Sequence, residues 1–257
     1  FSNVNTATVD AMQNGTPHQS TPAAASGEAG ATAFLGSSTV LNEYPAEAYA
    51  GIEDSCKDTV GIVFLGRAGG EGGDLYAEAY DDGTPHQLAL TDTERGVLDF
   101  AKKNCAGVVV VLNSCNTMQV GELEDDPDID AVITMCTPGA VGFKSLGKIL
   151  NGTVNPSGKT VDTFVADCTL TPTYVNFNKG DGATSYSNAS YTRDIWLSKF
   201  KGGADFDARF REYEEGVYMG YRWYETAADM DYFTSDNLPD GVTDPYYNRD
   251  NGVVYPF

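Results

Sequence analysis

The chain has 257 residues, 41% of them hydrophobic and 21% charged, a balance that supports a packed core and argues against wholesale disorder. Its 37 acidic side chains outnumber its 16 basic ones, which gives a formal charge of -21. Because nucleic acids and anionic membrane surfaces are bound through clustered Lys and Arg, we expect neither as a partner. No apolar run approaches the roughly 20 residues that cross a bilayer, so we do not expect this chain to be a membrane protein.

The cysteines and histidines show no pattern of a metal site. The two histidines, His18 and His86, are isolated, and no Cys-x-x-Cys pair occurs among the five cysteines, which are Cys56, Cys105, Cys115, Cys136 and Cys168. A zinc site needs closely spaced ligands, so we expect buried, reduced thiols, with neither a metal nor a cofactor. The first residues lack the basic and then apolar order of a secretory signal, and the sequence predicts no compartment.

The first third of the chain changes character near residue 45. Residues 1–44 are rich in small and polar side chains, which indicates an irregular leading segment. The apolar spacing of residues 46–56 predicts a helix, and the nearly continuous apolar run at 59–65 is typical of a strand buried on both faces. Thr91 and Glu94 then have the spacing of a capping box at the start of a second helix.

Strand and helix patterns continue to alternate after this helix. In order, they predict a strand at 108–112, a strand at 130–136, a helix at 139–150 and a more polar strand at 160–165. Such alternation favours right-handed crossovers and a mostly parallel sheet with helices on both faces, which is a three-layer α/β/α sandwich. In sheets of this kind, ligand sites form beyond the carboxyl ends of the strands.

The remainder of the chain has a looser texture. We therefore interpret residues 1–257 as a single domain with its α/β core at 45–165 and an irregular, aromatic-rich extension at 166–257. Within the extension, the alternation at 213–224 predicts a strand. The apolar residues 253–257 would be unusual as a free, solvated end.

A glycine-rich loop at 66–74 directly follows the first predicted strand and carries Glu71. Glycines on both sides of Glu71 allow positive φ and let the backbone present one carboxylate to a cleft. A dinucleotide-binding loop needs G-x-G-x-x-G, which this segment lacks, and a glutamate there would repel pyrophosphate. The Gly-Lys-Ser/Thr of a P-loop is absent too, so the loop chemistry disfavours a nucleotide-binding, flavodoxin-like domain. From spacing alone, a catalytic carboxylate and a solvated glycine turn remain open as alternatives.

The glycine-rich loop belongs to the longer run I-V-F-L-G-R-A-G-G-E-G-G-D at 62–74. This run is similar to the segment "VVxxxRxxGEGxD" of glycoside hydrolase family 3, in the sandwich domain that this family pairs with a barrel. Further similar runs are L-T-D-T-E at 90–94, V-V-V-V-L-N at 108–113, P-G with a later G at 138–142, L-N-G-T-V-N-P-S-G-K-T at 150–160, E-E-G-V-Y-M-G-Y-R at 214–222 and V-Y-P-F at 254–257. The resemblance covers about residues 45–257.

The resemblance implies an α/β sandwich and a retaining β-glycosidase of the β-glucosidase type. Glu71 falls on the glutamate of the family's "GEG" loop, which carries the general acid/base function in many members. The family's aspartate nucleophile lies in the barrel, and no comparable motif in context occurs in this chain; Ser235-Asp236-Asn237 is only a superficial echo. We therefore expect a barrel supplied from outside these residues as the partner, and no hydrolysis by this chain without it. The alternative is a non-catalytic carbohydrate-binding or scaffolding module.

Four further residues are candidates for contact with a glycoside substrate. Arg67 and Asp74 flank Glu71, and either a mutual ion pair that stiffens the loop or direct contact with the sugar fits them. Tyr76 is a candidate for stacking on a sugar ring, with plain packing as the alternative. Asn113 ends the second predicted strand, where it is placed to face the cleft. The sugar and the linkage are not predicted.

Overall fold

The computed structural model describes residues 5–20, 41–67, 79–124, 126–165, 167–168, 171–173, 215–230, 232 and 253–254. Its α-helices are α1 Thr6–Asn14, α2 Glu53–Cys56, α3 Asp92–Asn104, α4 Gly121–Glu124, α5 Gly139–Leu150 and α6 Tyr221–Asp229, and a short 3-10 helix spans Ala46–Tyr49. Its strands are β1 His18–Ser20, β2 Leu41–Glu43, β3 Val60–Arg67, β4 Gly107–Ser114, β5 Ala131–Thr134, β6 Phe164–Val165 and β7 Val253–Val254.

A parallel sheet of three strands, in the order β3-β4-β5, organises the described part of the chain. The register pairs Leu65 with Leu112 and Arg67 with Ser114 along β3 and β4, while β5 continues the sheet from β4. The strands coincide with the three apolar runs of the sequence, because a strand covered on both faces needs apolar side chains in both directions. The prediction of a mostly parallel sheet is confirmed.

Helices cover both faces of this sheet. On one face, Leu98 and Ala101 of α3 join the buried side chains of β3 and β4 in the main core. On the other face, Phe143 of α5 packs against Phe64 of β3, with ring centroids 6.3 Å apart. These contacts define the α3 face and the α5 face of the sheet, and they give the three-layer α/β/α arrangement that the sequence predicts.

Helix α3 begins as its sequence requires. The backbone N–H of Glu94 donates to Thr91 Oγ1 over 3.0 Å, and the backbone N–H of Thr91 donates to Glu94 Oε2 over 2.9 Å. This reciprocal pair is the predicted capping box, which satisfies two N–H groups that have no partner within a helix. At the other end, Lys102 and Lys103 lie in the last turn, where a positive charge interacts favourably with the helix dipole.

The leading segment is more regular than the sequence suggests. Residues 6–14, which we expected to be irregular, form α1, whose N-terminus is capped by the Asn5 side chain accepting from the Ala7 N–H. The expected helix at 46–56 is divided into the 3-10 helix and α2. Side-chain capping, which weak hydrophobic periodicity does not reveal, explains the first difference.

Two predicted strands also differ from the structure. Only Phe164–Val165 of the run at 160–165 is a strand, and it pairs antiparallel with Val253–Val254 instead of extending the parallel sheet. The predicted strand at 213–224 is wrong, because α6 begins at Tyr221. Tyr224 and Ala227, three residues apart, are both buried, so the aromatic run follows a helical period there.

The cysteines only partly match the expectation of buried thiols. None of the five, which all lie within the described residues, forms a disulfide bond. Cys56 is buried, but Cys105 and Cys168 are half-buried. Cys115 and Cys136 are exposed. Both exposed cysteines follow carboxyl ends of strands, β4 and β5, where the chain leaves the sheet.

Candidate active site

The candidate site lies where β3 and β4 end, and the described residues include only part of it. Glu71, Asp74 and Tyr76 fall in 68–78, outside the described residues, so their predicted roles stay predictions. Arg67 and Asn113 are described, at the carboxyl ends of neighbouring parallel strands.

Arg67 and Asn113 lie on opposite faces of the sheet, although both are at the same edge. Arg67 is opposite Ser114 in the register, and Asn113 is opposite Gly66. Arg67 shares its side of β3 with Val63 and Leu65 of the main core, so it belongs to the α3 face. Asn113, one residue before Ser114, points to the α5 face. The two predicted substrate contacts are therefore separated by the sheet.

Every N–H group of the Arg67 guanidinium has a protein acceptor. Nε donates to the Gln87 carbonyl at 2.5 Å, and Nη2 donates to the Ala89 carbonyl at 2.7 Å. Nη1 donates to the Gly66 carbonyl at 2.8 Å, and the two terminal nitrogens bind Glu94 Oε1 and Oε2 at 2.6 and 2.8 Å. An arginine has five such donors, so none is left for a ligand. A sugar hydroxyl would have to replace one of these acceptors.

Glu94 connects this arginine to the start of α3. Its carboxylate binds Arg67 in the two-pronged geometry that gives strong charge-assisted hydrogen bonds, and it also closes the capping box. Burial disfavours the charged guanidinium, but the hydrogen bonds and the charge of Glu94 outweigh it and raise the pKa of Arg67. We call Arg67 and Glu94 the clamp, since they hold the end of β3 against the residues that precede α3.

A second carboxyl group, that of Glu43 at the end of β2, lies beside the clamp. Thr91 Oγ1 donates to Glu43 Oε2 at 2.5 Å, and Glu43 Oε1 lies 3.9 Å from Arg67 Nη1. Burial and then the negative charge of Glu94 raise the pKa of Glu43 to about 8. At neutral pH the Glu43 carboxyl group is therefore mostly protonated, beside the ion pair of Arg67 and Glu94.

A buried histidine next to the clamp was not recognised as part of this edge from the sequence. His86, which is isolated in the sequence, is 4% exposed. Its Nε2 lies 3.4 Å from Cys168 Sγ, and the Cys168 N–H donates to Gln119 Oε1 at 3.2 Å. These contacts join three segments that are distant in sequence, so no local pattern indicates them.

The His86 and Cys168 pair does not have the charges of a nucleophilic dyad. Burial lowers the pKa of His86, so the imidazole is neutral at neutral pH. Burial and then the charge of Asp167 raise the pKa of Cys168 to about 12, which keeps the thiol protonated. Since a thiolate is the reactive form of cysteine, this pair closes the edge of the sheet without supplying a nucleophile.

Asn113 is the described candidate that is open to a ligand. Its side chain is half-buried and makes no hydrogen bond to another described residue. The neighbouring Ser114 is buried, and its hydroxyl donates to the Asn116 carbonyl at 2.9 Å and accepts from the Asn116 N–H at 3.1 Å. Of these two adjacent side chains, only the amide of Asn113 keeps donors and acceptors for a substrate.

Among the described residues, no group of three or more His, Cys, Asp or Glu side chains has an arrangement that suits a metal ion. Within the same residues, no helix has the length and apolar character needed to cross a bilayer.

Comparison with known sequences places these features in a family. The pattern of the glycosyl hydrolase family 3 C-terminal domain matches residues 3–221. Since the match covers most of the chain, including the glycine loop, the clamp and α5, the chain belongs to the glycosyl hydrolase family 3 C-terminal domains.

Individual relatives agree with this assignment. The chain is 28% identical over 137 residues to β-glucosidase A of Butyrivibrio fibrisolvens, covering 53% of this chain and 13% of the relative. It is 28% identical over 167 residues to a β-glucosidase of Ruminococcus albus, covering 65% of this chain and 14% of the relative. The matched segment is thus a small part of each of these longer proteins.

A solved structure supports the same fold. A β-glucosidase from Paenibacillus barengoltzii superposes with a TM-score of 0.51 at 24% identity, covering 71% of this chain and 16% of that one. At this level of identity the superposition shows the α/β sandwich fold, and the activity has to be argued separately.

Proposed function

We propose that this chain is the sandwich domain of a retaining β-glycosidase of the β-glucosidase type, and that Glu71 is its general acid/base. The main support is the position of Glu71, four residues after Arg67. Arg67 ends β3 at the carboxyl edge of the parallel sheet, the edge at which sites form in such folds. The named β-glucosidases among the relatives support the reaction class.

The proposed reaction is a double displacement. Glu71 protonates the departing glycosidic oxygen while an aspartate from a barrel domain, outside these residues, attacks the anomeric carbon. Glu71 then takes a proton from water, which hydrolyses the covalent glycosyl intermediate. Retaining glycosidases hold the two carboxyl groups about 5 to 5.5 Å apart, so the loop that bears Glu71 needs a fixed base.

The clamp supports this proposal because it fixes the strand that leads into the loop. Arg67 is the last described residue before 68–78, and its side chain binds the carbonyls of Gln87 and Ala89, which lie later in the chain. One buried guanidinium thus ties the end of β3 to the residues that precede α3. We infer that Arg67 affects substrate through this positioning, while Asp74, Tyr76 and Asn113 are the proposed sugar contacts.

The test is a Glu71→Gln substitution in the complete enzyme, sandwich and barrel together. Loss of a positioned proton donor should lower turnover by about 100- to 10,000-fold on alkyl glycosides, whose leaving groups need protonation. Activated aryl glycosides should lose less in the first step, and added azide should partly restore turnover by replacing water as the nucleophile.

The matched control is Glu122→Gln, which removes a carboxylate from the partly exposed ion pair with Arg95 in the same domain. We expect it to leave turnover and azide response unchanged. Unaltered turnover in Glu71→Gln would remove Glu71 from the proposed role.

The competing function is a non-catalytic carbohydrate-binding or scaffolding module of the same fold. The half-buried amide of Asn113, which has no partner among the described residues, fits that function as well as it fits a sugar subsite. In that case Glu71→Gln leaves hydrolysis unchanged, and the isolated chain binds oligosaccharide in calorimetry. Hydrolysis of aryl glycosides by the isolated chain would contradict the proposed division of work between sandwich and barrel.

A further inference from the structure

Two cysteines lie at the edge of the sheet opposite to the candidate site. Cys56 ends α2, shortly before β3 begins, and Cys105 follows α3, shortly before β4 begins. Cys56 is 2% exposed, Cys105 is half-buried, and both are free thiols. Since β3 and β4 are parallel, the segments that lead into them lie side by side.

Backbone hydrogen bonds hold these two segments together. The Ala106 N–H donates to the Thr59 carbonyl at 2.8 Å. Thr59 in turn donates to the Cys56 carbonyl, from its N–H at 2.9 Å and from its hydroxyl at 2.8 Å. Thr59 therefore connects the main chain at Cys56 with that at Ala106, the residue after Cys105.

The Cys105 side chain lies against the start of β3. Cys105 Sγ would lie 3.0 Å from a Cβ placed on Gly61, so this glycine of β3 leaves the space that the sulfur uses. Burial and then the neighbouring Cys56 thiol raise the pKa of Cys105. Asn5 Nδ2 lies 3.8 Å from Cys56 Sγ, on a different element, α1.

We propose that Cys56 and Cys105 form a reversible disulfide bond when the chain meets a low-molecular-weight disulfide such as oxidised glutathione. Cys105 is the more accessible thiol, and its raised pKa leaves a small ionised fraction at neutral pH. This thiolate fraction attacks one sulfur of the small disulfide and releases one thiol. Cys56 then attacks the Cys105 sulfur of the mixed disulfide and releases the second thiol. Two protein thiols are oxidised, one small disulfide is reduced to two thiols, and the two protons pass to the released thiols.

The bond would fasten the start of β3 to the start of β4 and enclose β3 and α3 in one covalent loop. Because a disulfide restricts the unfolded chain, we expect the oxidised protein to melt roughly 5–15 °C higher than the reduced protein. The clamp and Asn113 lie at the far end of the same strands, so the bond stiffens the sheet away from the candidate site.

The experiment equilibrates the folded chain with oxidised and reduced glutathione, blocks remaining thiols with an alkylating agent and identifies peptides without reduction. We expect one linked peptide pair, Cys56 with Cys105, and alkylation of the other three cysteines. Cys115→Ser, which removes an exposed thiol, should leave the linkage and the rise in melting temperature unchanged. Cys105→Ser should abolish the linkage and the rise in melting temperature. The melting temperature of this variant under reducing conditions shows whether it folds.

Two results would overturn the proposal. The first is wild-type chain in which Cys56 and Cys105 are alkylated, or carry glutathione, without being linked to each other. The second is a linkage that forms equally well in urea and in buffer, because the pairing would then owe nothing to the folded geometry. Since the peptide analysis uses the wild-type chain, neither result depends on whether a variant folds.

Discussion

The two faces of the sheet end differently at the edge where the candidate site lies. On the α3 face, Arg67 and Ser114 are buried and hydrogen-bonded within the protein. On the α5 face, Gly66 is exposed, Asn113 is half-buried with an open amide, and Phe64 is 51% exposed although it touches Phe143. We call the α3 face the closed face, because its charged groups hold the edge in place, and the α5 face the open face, because the Asn113 amide there has no partner among the described residues.

The closed face depends on a buried ion pair, which makes it sensitive to single changes. The side chains of Arg67 and Glu94 are 1% and 4% exposed, and burying either charge alone would cost several kcal/mol. Such a pair adds little net stability compared with apolar packing, but removal of one partner is strongly destabilising. Within the described part of the chain, no buried ion pair of this kind lies on the open face.

The largest expected effect is on the clamp. Glu94→Ala leaves the Arg67 guanidinium buried without its anion, so the free energy of unfolding should fall by about 3–5 kcal/mol in urea denaturation. Glu122→Ala is the matched control, because it breaks the ion pair with Arg95, whose side chains are 33% and 41% exposed. A partly exposed pair of this kind contributes about 1 kcal/mol or less. Equal losses in the two variants would show that the clamp is no stronger than a partly exposed ion pair.

The apolar residues of the two faces offer the next comparison. Leu112 on the α3 face is 1% exposed, and Leu112→Ala should lower the free energy of unfolding by about 2–5 kcal/mol through lost burial and a cavity. Phe64→Ala, on the α5 face, should cost less than about 1.5 kcal/mol, because half of the ring is already exposed to solvent. Thermal unfolding of both variants measures the difference, and a larger loss for Phe64→Ala would reverse the assignment of the closed face.

The carboxyl group beside the clamp predicts how stability changes with pH. The pKa of Glu43 is raised from 4.5 to about 8, so the folded chain keeps a proton that the unfolded chain releases. Its contribution to stability is fully present below pH 4.5 and is lost as the pH rises towards 8. We expect this loss to be roughly 1–3 kcal/mol, and Glu43→Gln, which is neutral at every pH, should flatten the curve over that range.

Denaturation at a series of pH values between 4.5 and 8 measures this slope. Asp54→Asn is the control, since Asp54 is 92% exposed in its ion pair with Lys57, and it should keep the wild-type slope. A Glu43→Gln variant with the same slope as wild type would mean that another group takes up the proton.

The fold follows from the sequence where one local signal dominates. The apolar runs of β3 and β4 and the Thr91–Glu94 capping box each fix an element through residues that are close in sequence. The segment of helix α6 was predicted as a strand because aromatic residues occur in both strands and helices. Only the burial of Tyr224 and Ala227 on one side decides between the two.

The site is less predictable, because its contacts join distant segments. Arg67 was expected to pair with Asp74, seven residues away, or with a sugar. Its actual partner among the described residues is Glu94, whose visible signal, the capping box, accounts for only part of its hydrogen bonds. The Glu43 carboxyl and the contact between His86 and Cys168 have no local signal at all. Local patterns indicate elements, whereas buried polar networks depend on the packing of those elements.

The smallest effect on stability is expected at Asn113, and it separates the two faces most sharply. Asn113→Ala removes a half-buried amide without a described partner, so the free energy of unfolding should change by less than about 0.5 kcal/mol. Ser114→Ala, the next residue on the closed face, removes both hydrogen bonds to Asn116 and should cost about 1–3 kcal/mol. In the complete enzyme the order should reverse: loss of one sugar hydrogen bond at Asn113 raises KM by roughly 3- to 10-fold, while folded Ser114→Ala keeps the wild-type KM. An unchanged KM in Asn113→Ala would leave the open face without a role in binding substrate.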